Sequence, residues 1–89
     1  MRRVGQARRR DTAETAIRQA LEAVGATVCQ ISGKGAPDLF VVFRGRHYGA
    51  EVKTGKGTLT PAQTEAGAGR LWPIWHTPDE ALKAIGAQR

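Results

Sequence analysis

Cysteine is nearly absent: Cys29 is the only one in 89 residues, which excludes an internal disulfide and any cysteine-rich zinc centre. Its expected place is a small buried hydrophobe on a strand. Long hydrophobic runs are missing too. The most apolar stretch, Leu39 to Phe43, falls far short of the roughly 18 residues that suggest a membrane span. No apolar stretch follows the basic start either: it leads into Asp11-Thr12-Ala13-Glu14, so no signal peptide is expected and the chain is placed in the cytoplasm of a bacterial or phage-infected cell. Aromatic residues make up only 6% of the chain, a thin supply for one core. Acidic residues are missing from residues 1–10, where Arg2, Arg3, Arg8, Arg9 and Arg10 stand.

What is present points to a globular chain with a polyanionic partner. The net charge is +6, and residues 1–10 account for most of it, so they read as a basic arm preceding a single domain over 11–89. A hydrophobic fraction of 40% with 25% charged residues suits a packed fold.

Apolar residues Ala13, Ala16, Ile17, Ala20, Leu21 and Val24 recur at helical spacing, predicting a first helix from Asp11 to Val24 with Asp11 and Glu14 as a capping box and Gly25 as the stop. Thr27 to Ile31 reads as a strand, and Ser32 to Pro37 as a loop. Asp38 to Phe43 and His47 to Lys53 read as a hairpin. A two-residue turn at Gly45-Arg46 would set Asp38 opposite Lys53 and Phe40 opposite Glu51. One face would then be apolar, with Leu39, Val41, Phe43, Tyr48, Ala50 and Val52, and the other would gather Asp38, Glu51 and Lys53 at one end.

Thr60-Pro61-Ala62-Gln63 carries a capping box and opens a second, glycine-limited helix ending near Ala68. A last strand is expected over Trp72 to His76, and Thr77-Pro78-Asp79-Glu80 opens a final helix reaching Gly86. The element order is helix, three strands, helix, strand, helix, an α/β fold with a mixed sheet.

Two carboxylates and an ammonium at one end of a hairpin suit a hard divalent cation, Mg²⁺ or Mn²⁺, and phosphodiester hydrolysis. Asp38 and Glu51 supply oxygen ligands, and Lys53 stands ready to orient water or offset developing charge.

Pro37-Asp38 followed by Glu51-Val52-Lys53 resembles the PD-(D/E)XK nuclease signature. Gly35-Ala36-Pro37-Asp38-Leu39, Glu51-Val52-Lys53-Thr54 and Leu59-Thr60-Pro61-Ala62-Gln63 together resemble its VRR-NUC branch, whose stand-alone members are small phage and bacterial proteins. The resemblance covers Asp11 to Ile85. Where that branch carries Val-Arg-Arg in its last strand, this chain has Ile74-Trp75-His76.

The resemblance implies a restriction-endonuclease-like αβββαβ core with a mixed central sheet flanked by helices, plus a short C-terminal helix. It implies Asp38, Glu51 and the Val52 main-chain carbonyl as metal ligands, Lys53 as the catalytic lysine, Glu14 reaching the metal through water, and Gln63 lining the site. It further implies a homodimeric, Holliday junction resolvase-like endonuclease for branched DNA.

Lys34 and Lys56 lie in Gly-Lys-Gly loops that lack the Ser or Thr of a nucleotide-binding loop, so no nucleotide cofactor is expected. With Ser32 and with Arg8, Arg9 and Arg10 they are candidate DNA-backbone contacts. His47 and His76 lack ligand spacing. Trp72 and Trp75 read as core or interface anchors, and with Tyr48 they are the candidates for a dimer interface. The alternative reading is a non-catalytic basic DNA-binding module in which the carboxylates are incidental.

Overall fold

A computed structural model describes residues 4–33, 35–54 and 58–87, the side chains of 4–11 excepted. Lys34 and Lys56, and the side chains of Arg8, Arg9 and Arg10, therefore lie outside the described residues.

The chain is an α/β fold with a four-stranded mixed sheet and three helices, in the order α1 (Val4–Ala23), β1 (Thr27–Gln30), β2 (Leu39–Phe43), β3 (Arg46–Val52), α2 (Pro61–Ala66), β4 (Ile74–Trp75) and α3 (Pro78–Ala84). Strand order in the sheet follows chain order. β1, β2 and β3 pair antiparallel, and β4 joins β3 parallel after the α2 crossover. Among the described residues no helix is long and apolar enough to cross a membrane.

The first helix differs from the sequence expectation at its start. It begins at Val4 and runs through Asp11, so Asp11 is not its N-cap and residues 4–10 are not set apart from the helix. Arginine and glutamine are good helix formers, and nothing between Ala7 and Asp11 breaks the turn. Its buried stripe is Glu14, Ile17 and Leu21, whereas Val24 lies beyond the last turn and is exposed.

Leu39, Val41, Phe43 and Ala50 project from one sheet face into a core closed by Ile17 and Leu21 of α1, Ala81 of α3 and Ile85 at its end. The opposite face is open over Thr27, Cys29, Phe40 and His47, where the Phe40 and His47 rings meet at 5.4 Å. Cys29 is therefore exposed, not buried, because its position pairs with Phe40 and strand alternation aims both away from the core. One thiol per native chain is expected to react promptly with a disulfide reagent. Reaction only after denaturation would contradict this placement.

The hairpin register also differs, by two residues. The turn is Arg44-Gly45, both at positive φ (51° and 78°), as a tight primed turn demands, and the ladder runs from Phe43↔Arg46 to Leu39↔Ala50. A shift of two keeps every side chain on its expected face. It moves the partners, however: one step beyond Leu39↔Ala50 stand Asp38 and Glu51, where the sequence reading put Lys53 opposite Asp38.

Candidate functional site

The loop from Ser32 to Pro37 delivers Asp38 to the start of β2. Gly49 makes room for it: a Cβ there would meet Pro37 Cγ at 3.3 Å, tighter than ordinary contact, so the absent side chain lets the loop lie against β3. Asp38 is then anchored by its own carboxylate, whose Oδ2 accepts a hydrogen bond from Val52 N at 2.9 Å.

Glu51 comes from the neighbouring strand and is only 2% exposed. Three groups hold it. Gln63 Nε2 donates to its Oε2 at 3.0 Å, Trp72 Nε1 donates to its Oε1 at 3.2 Å, and the Asp38 carboxyl lies within hydrogen-bonding reach. Its backbone is fixed as well, since Glu51 N donates to Pro73 O at 2.9 Å and Lys53 N to Trp75 O at 3.2 Å, which pins β3 to β4 on either side of Val52.

Burial is the largest influence on the Glu51 carboxyl and pushes its pKa up; the Trp72 hydrogen bond opposes this, Asp38 adds to the rise through its charge and its hydrogen bond, and the Lys53 ammonium pulls the other way. The net direction is upward from the ordinary value of 4.5. An acid partner and a dry setting together make the metal-free, doubly ionised pair an unfavourable state.

Gln63 serves two ends at once. Its Oε1 accepts from Thr60 N at 2.9 Å, and Thr60 Oγ1 accepts from Gln63 N at 3.1 Å, which completes the capping box that starts α2. The same amide's nitrogen holds Glu51, so capping and site support are one network of hydrogen bonds. Gln63→Leu is expected to cost about 1–3 kcal/mol, because it removes both a cap and a donor to a buried carboxylate, measured by urea denaturation. A change near zero would show that α2 is not coupled to Glu51.

Asp38 and Glu51 open into a cleft of 620 Å³ between the 33–36 loop and α2. Gln63, Trp72, Glu65 and the backbone of Gly33 and Gly35 line it. Lys53 is half-buried two residues after Glu51 and close enough for its charge to act on it, though it is not on the cleft wall. Ser32 is exposed one residue before the wall begins.

Glu14 faces the interior of the fold. It is 1% exposed on α1, where Gln30 Nε2 donates to its Oε2 at 3.1 Å, and it does not line the cleft. With Asp11 inside the helix, the expected Asp11–Glu14 capping box does not form.

Among the described residues no three His, Cys, Asp or Glu side chains gather as a metal-ligand group. A pair of carboxylates in an open cleft is a donor set for a hard cation that keeps much of its water, and not for a closed zinc centre.

Trp72 is the site residue that the sequence reading missed. It stands on the cleft wall and holds Glu51; the signal for it was an indole N–H that needs a partner once the ring packs. Trp75 is 2% exposed and takes the core place, and Trp72 is half-buried. Tyr48 is half-buried with its hydroxyl donating to Ile85 O at 3.4 Å.

No family model, curated protein or solved structure matches the chain.

Proposed function

We propose that this chain is a divalent-metal-dependent endodeoxyribonuclease that hydrolyses DNA phosphodiester bonds at branched structures such as Holliday junctions or flaps. The observation that carries this reading is the Asp38–Glu51 pair: two carboxyls within hydrogen-bonding reach, one buried with its pKa raised, on the wall of one cleft. The donor set fits Mg²⁺ or Mn²⁺, because a cation held by the two carboxylates would offset the like-charge penalty that makes the ionised pair unfavourable. Asp38 and Glu51 would hold it, with the Val52 carbonyl as a main-chain ligand. Bound there, the cation would supply charge neutralisation at a phosphoryl oxygen and a water of lowered pKa.

The surrounding residues have tasks of their own. Gln63 and Trp72 donate to Glu51 and keep its carboxylate turned to the cleft. The Val52 N–H does the same for Asp38. Lys53 lowers the pKa of Glu51 and so favours its ionised form. The glycines at 33 and 35 keep the opposite wall low enough for a phosphate backbone to approach. A homodimer would place two such clefts on one junction, one for each strand to be cut. Under this proposal the protein resembles the VRR-NUC branch in chemistry as well as in its Pro37-Asp38 and Glu51-Val52-Lys53 residues.

The test is incubation with a labelled four-way junction, a flap and a linear duplex, each with Mg²⁺, Mn²⁺ or EDTA. Cutting is expected only with metal, more on branched than on linear DNA, and not by Lys53→Ala. Binding of all three DNAs without cutting in any metal would instead support the non-catalytic DNA-binding module.

A further inference from the structure

The far end of the β2–β3 hairpin holds a second cleft, of 350 Å³, between the hairpin turn and the end of α3. Three exposed cations stand around it, Arg44, Arg46 and Lys83, and no acidic side chain lines it among the described residues. Among the described residues none of the three forms an ion pair with a carboxylate. Like charges gathered this way repel one another, and no carboxylate among the described residues lines the cleft to offset them.

Their placement follows from the backbone. Arg44 sits in the turn at φ 51° with its guanidinium 4.9 Å from the centre of the Phe43 ring, a cation–π contact that restricts where the charge can go. Arg46 is the first residue of β3 and pairs with Phe43. Lys83 lies in the last turn of α3, where a cation complements the helix end. That helix end accounts for Lys83 by itself; it does not account for two arginines converging on the same space. Tyr48 ties the two walls together through its bond to Ile85 O.

We propose that this cleft is a second contact for a nucleic-acid backbone, taking a phosphodiester group through Arg44, Arg46 and Lys83. Planar guanidinium groups match a phosphate's oxygens, and the chain's net charge of +6 favours a polyanion over an apolar partner. Its position separates it from the first cleft: Phe43 and Tyr48 lie on the core face of the sheet and Asp38 and Glu51 on the other, and Arg46 and Glu51 stand five residues apart on β3, about 17 Å at roughly 3.4 Å per residue, so the basic cleft would hold a stretch of backbone other than the one at Asp38 and Glu51. The proposal rests on the reading of the chain as a DNA-binding protein but requires no cleavage.

Its test is anisotropy titration of a labelled duplex of about 20 base pairs in EDTA over a range of salt, comparing wild type with an Arg44→Gln, Arg46→Gln, Lys83→Gln triple variant. Removing one cation from the phosphate backbone should lower the salt slope by about 0.9, so the triple variant is expected to show a slope reduced by about 2–3 and binding at least tenfold weaker at moderate salt. Far-UV circular dichroism should stay at the wild-type value, which shows that the variant is folded.

An unchanged slope in a folded triple variant would overturn the proposal. So would polyglutamate binding with the same affinity and the same weakening in the variant, or inorganic phosphate at low millimolar concentration displacing the duplex through these three residues, since either would mark a general anion pocket. The outcomes separate from those of the nuclease reading. A reduced slope in a protein that never cuts sinks that reading alone, whereas metal-dependent cutting with an unchanged slope sinks this one alone.

Discussion

Asp38→Asn is expected to abolish metal-dependent cutting, by at least about 10³-fold, and at the same time to stabilise the metal-free protein. Both effects come from one interaction. Asp38 raises the pKa of Glu51 through its charge and through a hydrogen bond between the two carboxyls. An asparagine keeps an oxygen to accept from Val52 N and removes the charge, so the fold keeps its anchor while the repulsion disappears. The expected gain is about 1 kcal/mol, or a rise of roughly 4–8 °C in melting temperature for a domain of this size.

The pH dependence has a definite sign. Glu51 has a folded-state pKa above 4.5, so between 4.5 and that raised value the unfolded chain releases its proton first, and the stability of the metal-free wild type falls as pH rises through this window. Below 4.5 both states are protonated and the penalty is absent. Asp38→Asn should flatten that fall. A variant that cuts at the wild-type rate, or that melts lower than wild type at neutral pH, would break the link between the pair and the activity.

Trp75→Ala should be the most damaging single change to the fold, costing about 3–5 kcal/mol in urea denaturation. Trp75 is the largest fully buried side chain, on the two-residue strand β4. A domain of this length has about 5–10 kcal/mol in all, so the variant should be partly unfolded at 37 °C. The damage would reach the site, because Trp75 O receives Lys53 N and the adjoining Pro73 O receives Glu51 N. Trp75→Phe separates packing from polarity. Among the described residues the Trp75 indole N–H is buried without a partner, so phenylalanine discards an unsatisfied donor along with some volume and should cost far less than alanine. Equal costs for the two would contradict the packing explanation.

Elements with two independent local signals were legible in the sequence. α2 and α3 both start where Thr60-Pro61 and Thr77-Pro78 place a cap and a proline together, and the side chains of Thr60 and Thr77 accept from Gln63 N and Glu80 N as expected. The alternation of Leu39, Val41 and Phe43 marked the core face of β2, and that face is unaffected by the two-residue change of register because a shift of two preserves parity. Partners across the hairpin were not legible, since Arg44-Gly45 and Gly45-Arg46 both offer one glycine, and only the left-handed conformation of Arg44 decides between them.

The start of α1 escaped the sequence for a related reason: Asp11 and Glu14 satisfy a capping pattern, but a pattern cannot show that the preceding arginines continue the helix. Burial of Glu51 was out of reach altogether. It depends on Trp72, distant in sequence, folding back to donate to a carboxylate on β3.

The most direct measurement is a calorimetric titration of Mn²⁺ into the wild-type protein and into Asp38→Asn and Glu51→Gln, at two pH values on either side of the raised Glu51 pKa. Saturable binding of one cation per wild-type chain is expected, tighter at the higher pH where Glu51 has released its proton, with no saturable binding by either variant. Binding that both variants retain, or a wild type that takes up no cation at millimolar Mn²⁺, would contradict the assignment of Asp38 and Glu51 as a metal site.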